Sequence, residues 1–466
     1  MTGWSMKRRW GHHTLVNIPS DRTARAYRGY ALTSIPREDE ELTHVGPGTP
    51  GGELFRRYWQ PVALASKLGD VPLAVRILGE DLVVFRDLEG RVGVLHRHCC
   101  HRGASLEFGV VSQRGIRCCY HGWLFDVDGV ILETPGEPPE SPIRHTVSQG
   151  AYPAREFAGL VFAYMGPSGT VPPFPYFDTY EQPDNRLIPF SLWHPCNWLQ
   201  LHENMMDPVH AVFLHTRVVG VQLTEAWGAI PEYDFRPTPN GMMYITAKRW
   251  GDYVWIRSNH TILPNFGHTA ALWEDGDAER LFTRASVSRW TVPIDDTNTV
   301  VLGVRHFNSS VDPKGYGNEA EVGEDTIDFM GQTGNRPYAE RQRDPGDWDA
   351  QVSQRPIAVH ALEHRGTTDK GVIMLRRALR DRIRCVARGE DPHPHVPADG
   401  SPIRTYTHDT VLRVPPDEDG DDRRRLRELA ARVTDIVTGC DDLGVAERQQ
   451  RIERDLAGLS CRQETP

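Results

Sequence analysis

The sequence predicts an α+β protein in which a small antiparallel β domain precedes a larger domain of strands and helices. The chain has 466 residues, of which 39% are hydrophobic and 25% are charged, so it is long enough for about two or three domains and too apolar to be disordered. Its 42 glycines and 35 prolines indicate many turns, which favours a β-rich fold over an array of helices. Apolar runs of strand length occur in both halves, and one late segment has helical periodicity.

The small domain is predicted from short apolar runs and turns between Tyr58 and about Gly166. The runs LAVRIL, DLVVF and RVGVLHRH are typical of strands, and Asp128-Gly129 between WLFDV and VILE is typical of a tight hairpin turn. The run GPSGTVPPFPYF that follows is rich in proline and glycine, which resist regular structure. This run marks a domain boundary.

The later part of the chain alternates between strand and helix patterns. Residues 240–307 return to β character in YITAKRW, YVWIRS and TVVLGVRHF. A helix is predicted after Thr368 from apolar residues at steps of three and four, which are Val372, Leu375, Leu379, Ile383 and Val386. Beyond Val414, the run PPDEDGDDRRR and an amphipathic stretch to about Leu459 predict a charged linker and a solvated or partner-contacting helical arm.

These patterns divide the chain into four parts. We expect an N-terminal segment of residues 1–55 that packs on the core and a β domain of residues 56–168. A larger domain of residues 169–412 follows, and residues 413–466 form the charged linker and the helical tail.

Charge and hydropathy exclude two classes of partner. No window approaches the ~20 consecutive apolar residues that span a bilayer. The formal net charge is −10 and comes without a long basic run that could neutralise phosphates. We therefore expect a cytoplasmic protein that binds neither membranes nor nucleic acid.

The first candidate metal site combines two short motifs, Cys99-x-His101 and Cys118-x2-His121. In a chain with 8 cysteines and 20 histidines, both pairs at this separation are expected roughly 0.001 times by chance. Two thiolates and two imidazoles could hold tetrahedral zinc, or they could hold a [2Fe-2S] cluster with two cysteines on one iron and two histidines on the other. The flanking HRG and HGW favour the cluster, because glycine lets backbone amides approach the sulfur atoms.

The second candidate site is Asp207-x2-His210-x4-His215, which lies in the helix-like segment NWLQLHENMMDPVHAVFLH. Pro208 cannot donate a hydrogen bond inside a helix, so Asp207 could cap a new one. Two histidines and one carboxylate form the facial triad of non-haem Fe(II) enzymes, which leaves open positions for dioxygen. Purely structural histidines, and a plain capping role for Asp207, are the alternatives.

Both sites resemble those of the Rieske-type ring-hydroxylating oxygenases. HRHCCHRGASLEFG and CCYHGWLFDVDG are similar to the family's Rieske loops, and Trp198, Glu203 and Asn204 precede the histidines as in its mononuclear-iron helix. The resemblance covers roughly residues 50–390. Within the family, YWQPVALASKL and NWLQLHENMMDPVH are most similar to the phthalate-dioxygenase-like branch of α subunits.

The resemblance implies two cofactors. A Rieske [2Fe-2S] cluster would be held by Cys99, His101, Cys118 and His121, and a mononuclear Fe(II) by His210, His215 and a carboxylate from a much later helix. The family pattern usually has proline after each ligand cysteine, where this chain has a second cysteine. We expect these two cysteines, Cys100 and Cys119, to be buried loop packing rather than ligands.

The late carboxylate is identified by a similar argument. Asp347 in GDWDAQVSQRPI resembles the family's third iron ligand, with Asp344 and Asp349 as close alternatives. Asp207 would then bridge His210 of one subunit and His121 of a neighbour's Rieske domain. Such a head-to-tail contact must close into a ring, which implies a homotrimer or stacked trimers.

The resemblance also implies a fold and an activity. The β domain would be the Rieske domain, and the catalytic domain would wrap a curved antiparallel sheet around a long helix. The chain would be the terminal oxygenase of a two-component system, using dioxygen and electrons from a separate NADH-dependent flavin and iron–sulfur reductase to hydroxylate or O-demethylate an aromatic carboxylate. The alternatives are cis-dihydroxylation of a phthalate-like ring or, from another class, a Rieske electron carrier without oxygenase activity.

Three other residues near the second motif attract attention without belonging to it. His202 and Cys196 are expected to be packing residues. Arg217 is expected to pair with a surface carboxylate rather than with an anionic substrate.

Overall fold

The computed structural model describes residues 34–218, 220–271, 273, 278–393, 397, 400–416 and 420–460. All elements below belong to one compact unit that begins at Glu38. Most of the predicted N-terminal segment therefore lies outside the described residues. None of the described helices combines the length and the apolarity needed to cross a bilayer.

Ten α-helices occur in the described residues. In chain order they are α1 Glu40–Thr43, α2 Pro50–Arg56, α3 Ile143–Thr146, α4 Trp198–Glu203, α5 His210–Val212, α6 Tyr338–Arg343, α7 Asp347–Val352, α8 Lys370–Ala387, α9 Asp422–Thr438 and α10 Val445–Ala457.

Twenty β-strands occur in the same residues. The first eleven are β1 Trp59–Leu64, β2 Leu73–Ile77, β3 Glu80–Arg86, β4 Val92–His96, β5 Val110–Val111, β6 Ile116–Arg117, β7 Leu124–Phe125, β8 Ile131–Glu133, β9 Ala151–Tyr152, β10 Ala154–Phe157 and β11 Leu160–Tyr164. The others are β12 Arg186–His194, β13 Glu232–Thr238, β14 Gly241–Trp250, β15 Tyr253–Ile262, β16 Phe266–Ala270, β17 Arg280–Thr283, β18 Ala285–Asp295, β19 Asn298–Phe307 and β20 His408–Arg413.

The first eleven strands form three small antiparallel sheets. Their orders are β1-β11-β10, β2-β3-β4-β9 and β5-β6-β7-β8. Val83, Phe85 and Leu95 of one four-stranded sheet pack against Ile116 and Phe125 of the other, and this shared core also includes the two motif cysteines. The predicted antiparallel β domain is confirmed, and its two cysteine loops extend from this core.

The other nine strands form one large antiparallel sheet. Seven follow the order β12-β19-β18-β16-β15-β14-β13, and β20 pairs with both β15 and β17. The predicted late helix is α8, whose Leu375, Leu379 and Ile383 are buried in one core with Met242 and Tyr244 of β14. This mixture of a large antiparallel sheet and helices confirms the predicted α+β class.

The helical tail corrects one expectation. Rather than forming a solvated arm, α9 and α10 bury their apolar stripes against the large sheet, next to Ile245 of β14 and Val254 of β15. The tail residues in this core include Leu426, Leu429, Val433, Val437, Ile452 and Leu456. The amphipathic pattern of the tail reflects this buried face, for which the sheet is the partner.

A buried ion cluster links the tail to residues beside the large sheet. Nη1 of Arg448, in α10, lies 3.2 Å from Oδ2 of Asp178, and Nη2 of Arg284 lies 2.8 Å from Oδ1 of the same carboxylate. The side chains of all three residues are at least 96% buried. Because a charge without water needs a partner, Asp178 and Arg448 depend on each other across 270 residues of sequence.

Candidate metal centres

The two Cys/His loops have the same backbone design. Cys99 follows β4 and Cys118 follows β6, and each begins a turn that a glycine closes four residues later. The Gly103 N–H donates to the Cys99 carbonyl at 2.8 Å, and the Gly122 N–H donates to the Cys118 carbonyl at 3.0 Å. Both glycines have a positive φ, of 77° and 74°, which side chains with a Cβ rarely adopt. The shape of the loops therefore requires the glycine of each of the motifs HRG and HGW.

The four predicted cluster ligands meet as two pairs. Cys99 and Cys118 are buried, with 4% and 3% of their surface exposed. Burial, and next the proximity of the Cys118 thiol, raise the pKa of the Cys99 thiol to about 12. The ring centroids of His101 and His121 lie 4.5 Å apart. Two adjoining thiols and two adjoining imidazoles match the division of ligands in a Rieske cluster.

A zinc site does not match this arrangement. Tetrahedral zinc holds its ligand atoms about 3 to 4 Å from one another. Among the described residues, no three of the four Cys and His ligand atoms lie within 4.8 Å of one another. In this part of the chain, the four ligand atoms are therefore less closely gathered than a single zinc ion requires.

His101 has a nitrogen available for such a group. Its ring stacks on Trp123, with centroids 4.4 Å apart and an interplanar angle of 1°. Its Nδ1 is buried and has no hydrogen-bond partner among the described residues. A buried imidazole nitrogen without a partner is costly unless it binds a ligand, so the site fits a metal at this atom.

Cys100 and Cys119 are exposed, which corrects the expectation that they are buried loop packing. The backbone of Cys100 does have a structural role, because its N–H donates to Oε1 of Gln149 at 2.7 Å. Gln149 in turn donates to the carbonyls of His96 and His98, at 2.7 and 3.0 Å. A proline at position 100 would lack this N–H and would lose one of the three bonds that hold the first loop.

Serine variants can distinguish the cysteines that bind the cluster from the cysteines that follow them in sequence. We expect Cys100→Ser and Cys119→Ser to keep the cluster, because neither exposed thiol lies in the buried pair. Cys99→Ser is expected to lose it, since a serine hydroxyl is a poor replacement for a thiolate on iron. Acid-labile sulfide per chain and the Rieske EPR signal measure the outcome. Cluster loss in Cys100→Ser with retention in Cys99→Ser would reverse the assignment.

The second motif lies on a helix that is broken and then widened. Helix α4 begins after Asn197, whose side chain accepts from the Leu199 N–H at 3.1 Å, and a 3₁₀ turn over Asn204–Met206 follows it. Asp207 is not the N-cap of α5, which is Val209, but its Oδ1 accepts from the backbone N–H groups of Val209 and His210, at 3.0 and 3.3 Å.

The widened part is a π-helix over Phe213–Arg217, which contains His215. In an α-helix, residues five apart lie about 140° apart around the axis. A π-turn has about one residue more per turn, so it brings His215 back towards the side of His210. The two imidazole centroids lie 5.7 Å apart as a result.

His210, His215 and Asp347 meet in one place. Each offers a ligand atom that lies within 4.8 Å of the other two. Nε2 of His210 lies 3.6 Å from Oδ1 of Asp347, and Nε2 of His215 lies 3.4 Å from Oδ2. The alternatives have other partners, because Asp349 pairs with Arg336 at 2.7 Å and Asp344 accepts from Gln222 at 2.6 Å. The structure thus brings together the three residues predicted from the sequence.

The electrostatics of the triad favour a cation. Burial acts to raise the pKa of Asp347, but the hydrogen bond and charge of His215 hold that pKa far below the usual range of a carboxyl group. Burial likewise acts to lower the pKa of His215, and Asp347 reverses this, so that the pKa is raised overall. The carboxylate is therefore negatively charged at neutral pH, as a metal ligand must be.

Nδ1 of each of the two imidazoles, His210 and His215, donates a hydrogen bond to the protein. Nδ1 of His210 donates to the backbone carbonyl of Asp207, and Nδ1 of His215 donates to Oε1 of Gln222 at 3.0 Å. Nε2 of each ring faces Asp347, and Nδ2 of Asn204 also lies 3.2 Å from Nε2 of His210. This is the orientation in which histidine binds metals, with one nitrogen donating to the protein and the other directed towards the metal position.

Two amide side chains that the motifs do not include also contact Asp347. Nδ2 of Asn204 donates to Oδ1 at 3.2 Å, and Nε2 of Gln332 donates to Oδ2 at 2.8 Å. Asn204 lies three residues before Asp207 in the sequence, and this position suggests a role near the histidines. Gln332 lies in a loop without any motif, and the sequence gives no signal for it.

The triad opens into a cavity of about 900 Å³, including its mouth to solvent. Its walls are largely apolar, with a few polar groups among them. The lining residues include Phe190, Leu192, Leu223, Trp227, Tyr244, Asn259, Val287, Ile327 and Phe329. Such a space accommodates an organic substrate of aromatic size.

An arginine lines the cavity, but it is not Arg217. Arg217 donates through Nε to the Gly228 carbonyl, and among the described residues it shows no ion pair of the expected kind with a carboxylate. Arg289 of β18 lines the cavity instead, with Nη2 2.9 Å from Sδ of Met205 and a buried Nε that lacks a hydrogen-bond partner among the described residues. His202 and Cys196 are buried, as expected for packing residues.

Asp207 lies in a second, shallower depression on the far side of His210. Its side chain is 36% exposed, and Oδ2 lies 3.7 Å from Nδ1 of His210. Glu203, Glu363 and Arg376 line the same depression. The carboxylate is thus accessible from outside the chain while it touches a triad histidine.

Comparisons with known proteins agree with this architecture. The model of the Rieske [2Fe-2S] domain family matches residues 58–153. The chain is 48% identical to the oxygenase subunit of tert-butanol monooxygenase / tert-amyl alcohol desaturase from Aquincola tertiaricarbonis, over 92% of this chain and 96% of the relative. It is 31% identical to the phthalate 4,5-dioxygenase oxygenase subunit of Pseudomonas putida, over 76% of this chain and 87% of the relative. Dicamba monooxygenase bound to 3,6-dichlorosalicylic acid has a similar fold, with a TM-score of 0.56 and 18% identity over 71% of this chain and 98% of that one.

A Rieske domain, joined to a domain that combines a large antiparallel sheet with a two-histidine, one-carboxylate site on its helices, defines an iron-dependent oxygenase. The chain belongs to the Rieske non-haem iron oxygenases and is the oxygenase component, or α subunit, of such a system. It is an oxidoreductase that uses dioxygen, its cofactors are a [2Fe-2S] cluster and a mononuclear iron, and its electrons come from a separate reductase.

Proposed function

We propose that this oxygenase hydroxylates or O-demethylates an aromatic carboxylate, whose carboxylate group binds Arg289. The observation that carries the proposal is a guanidinium in the wall of the cavity that no carboxylate in the described part of the chain pairs with. Burial lowers the pKa of Arg289, although an arginine remains charged at neutral pH. A partly desolvated cation without a partner favours an anionic ligand, and the planar guanidinium matches a carboxylate with two hydrogen bonds.

The position of Arg289 suits the reaction. Arg289 and Asp347 both line the cavity, and the negative charge of Asp347 acts to raise the pKa of the guanidinium. An acid held by Arg289 would extend its ring along Phe190, Leu192 and Val287 towards the triad. The phthalate relative supports this substrate class, because phthalate is an aromatic dicarboxylate.

The ligand sets that we propose follow the geometry. Cys99, His101, Cys118 and His121 would hold the [2Fe-2S] cluster, and His210, His215 and Asp347 would hold the mononuclear iron. The iron supplies a site where dioxygen can be activated with electrons from the cluster. The chain's own residues hold the substrate acid at Arg289 and shield the reacting ring from water with the apolar walls.

The route of the electrons is proposed from Asp207. Its exposed carboxylate contacts His210, and a neighbour's His121 docked in the depression could join a hydrogen-bond network through it. Such a contact is head-to-tail, so we propose a homotrimer, with an NADH-dependent flavin and iron–sulfur reductase as the electron source. The division into residues 56–168, 169–412 and 413–466 is part of the same proposal.

A second candidate substrate is a tertiary alcohol. It is favoured by the 48% identity to the subunit named for tert-butanol and by the apolar lining of the cavity. A neutral alcohol would make no use of the charge of Arg289. The two candidates therefore differ in their dependence on this residue.

The test compares substrates in the wild type and in Arg289→Met. Dioxygen and NADH consumption with a surrogate reductase would be measured against aromatic acids, methoxylated aromatic acids and tertiary alcohols, with product identification. For acids we expect kcat/KM to fall about 30- to 1,000-fold in Arg289→Met, since losing one partner of a desolvated charge pair costs roughly 2–4 kcal/mol. Arg217→Met, which removes an arginine from outside the cavity, is the matched control.

Two results would contradict the proposal. One is product from tertiary alcohols alone, at the same rate in Arg289→Met and wild type, which would establish the second candidate. The other is turnover of acids that Arg289→Met leaves unchanged.

A further inference from the structure

Gln222 joins the two segments that carry the triad. Its Oε1 accepts from Nδ1 of His215 at 3.0 Å, and its backbone N–H donates to the His215 carbonyl at 2.9 Å. Its Nε2 donates to Oδ1 of Asp344 at 2.6 Å and to the carbonyl of Pro345 at 3.0 Å. Asp344 and Pro345 immediately precede the Gly346-Asp347 step, where α7 begins. One side chain therefore spans from the π-helix to the start of the helix that carries the carboxylate.

The orientation of this amide is determined by its partners. An ionised carboxylate and a peptide carbonyl only accept hydrogen bonds, so the NH₂ group must face Asp344 and Pro345. The amide oxygen is then left for His215, whose Nδ1 must carry the proton. The other ring nitrogen, Nε2, faces Asp347 and lies 3.4 Å from its Oδ2, so it is the atom that Gln222 leaves for the metal.

The two histidines differ in how they are held. Nδ1 of His210 donates to the carbonyl of Asp207, three residues away in its own segment. His215 relies on a side chain seven residues along the chain, which is itself bound to the Asp347 segment. A displacement of that segment would therefore be transmitted to the ring of His215 as well as to Asp347.

We propose that Gln222 is a positioning residue for the mononuclear iron: it selects the tautomer of His215 and holds His215 and Asp347 at a fixed separation. This inference rests on the ligand set proposed above. Outer partners of this kind change metal affinity by about 10- to 100-fold when they are removed. Gln222 belongs to neither motif, and it reaches the site only through its hydrogen bonds.

Two kinds of variant test this proposal. One removes the side-chain hydrogen bonds of Gln222, and the other exchanges the donor and the acceptor between positions 222 and 344. Gln222→Leu has a similar volume and no hydrogen bonds. Gln222→Glu keeps the acceptor for His215 but places a second carboxylate against Asp344. The double variant Gln222→Glu/Asp344→Asn restores a donor and an acceptor between these positions, because the amide introduced at position 344 can donate to the new carboxylate. Gln450→Leu, at an exposed position of α10, is the control.

Three quantities would be measured on the purified holoenzyme. They are iron per chain, the rate of iron loss to a ferrous chelator, and the EPR spectrum of the ferrous site with nitric oxide as the probe. We expect Gln222→Leu and Gln222→Glu to lose mononuclear iron about 10- to 100-fold faster than the wild type, with an altered nitric oxide spectrum. The double variant should recover most of the retention, whereas a residue needed only for folding would gain nothing from the swap. The Rieske signal of the same chain reports whether the protein is intact.

The outcomes separate this inference from the proposed function. A wild type with about two irons per chain instead of about three would contradict the proposed iron site itself. A wild type with three irons, and a Gln222→Leu variant with the same release rate and spectrum, would overturn the role of Gln222 alone. A double variant no better than Gln222→Glu would also overturn it, and this comparison does not depend on Gln222→Leu folding.

Discussion

Replacing His215 by alanine is expected to leave a folded protein that has its Rieske cluster but neither mononuclear iron nor product formation. The triad has three ligand atoms within 4.8 Å, and removal of one leaves His210 and Asp347, too few donors for a stable non-haem iron site. A bound metal lowers the activation barrier by several kcal/mol, which raises the rate by about 10³-fold or more. Because the variant lacks this metal, its activity should fall below one-thousandth of the wild-type activity.

The measurement is iron and sulfide per chain, together with product formation under reductase turnover. His145→Ala, on the exposed surface of α3, serves as the control and should retain both iron and activity. Full activity with unchanged iron content in His215→Ala would refute the assignment of the triad. Cluster loss in the same variant would instead place His215 outside the iron site.

Replacing Arg448 by leucine is expected to cause the largest loss of stability. Arg448 is 1% exposed and faces Asp178, whose other cationic partner is Arg284. Removing one member of a buried ion pair costs about 3–5 kcal/mol, because the remaining charge stays buried. For a domain of this size we expect the melting midpoint to fall by roughly 6–15 °C.

Arg451→Leu is the matched control, since it lies one turn away on α10. Its partner is Asp455, four residues on, and both side chains are at least one-third exposed. An exposed pair of this kind contributes little to stability, because water and salt screen its charges. Thermal unfolding followed by circular dichroism would compare the two variants. Equal midpoints would mean that the buried cluster does not hold the tail.

The two candidate metal sites could be proposed from the sequence because most of their residues are close together along the chain. Cys99, His101, Cys118 and His121 lie in turns whose glycines are required by backbone conformation, so spacing alone indicates a shared site. His210 and His215 are also local, although the π-helix that aligns them has no sequence signature. Asp347 comes from a distant segment, and the prediction of this ligand depended on family resemblance rather than on spacing.

The polar surroundings of the iron site could not be predicted. Whether Arg289 faces the cavity depends on the register of β18 and on the strands beside it, and ASVSRWTV reads the same in either case. Gln222 and Gln332 lie in irregular segments whose positions are set by tertiary packing. Arg217 was suggested by its closeness to His215 in sequence, but the widened helix directs it to a backbone carbonyl.

The packing of the C-terminal tail was another feature that the sequence did not predict. The periodicity after Thr368 predicts α8 and its buried face, because a helix of that length needs a core partner. The periodicity after residue 420 is equally strong, but a pattern in one helix does not reveal which surface covers it. The high charge of the linker favoured solvent, whereas the sheet provides an apolar surface for both α9 and α10.

The placement of β20 has a consequence for the synthesis of this enzyme. This strand, His408–Arg413, inserts between β15 and β17, which are made more than a hundred residues earlier. While the ribosome is still working through that interval, both partner strands expose unpaired backbone groups that can recruit other nascent chains. Messages truncated before codon 408 should therefore yield insoluble material, and slow translation of the final segment should increase the demand for chaperones.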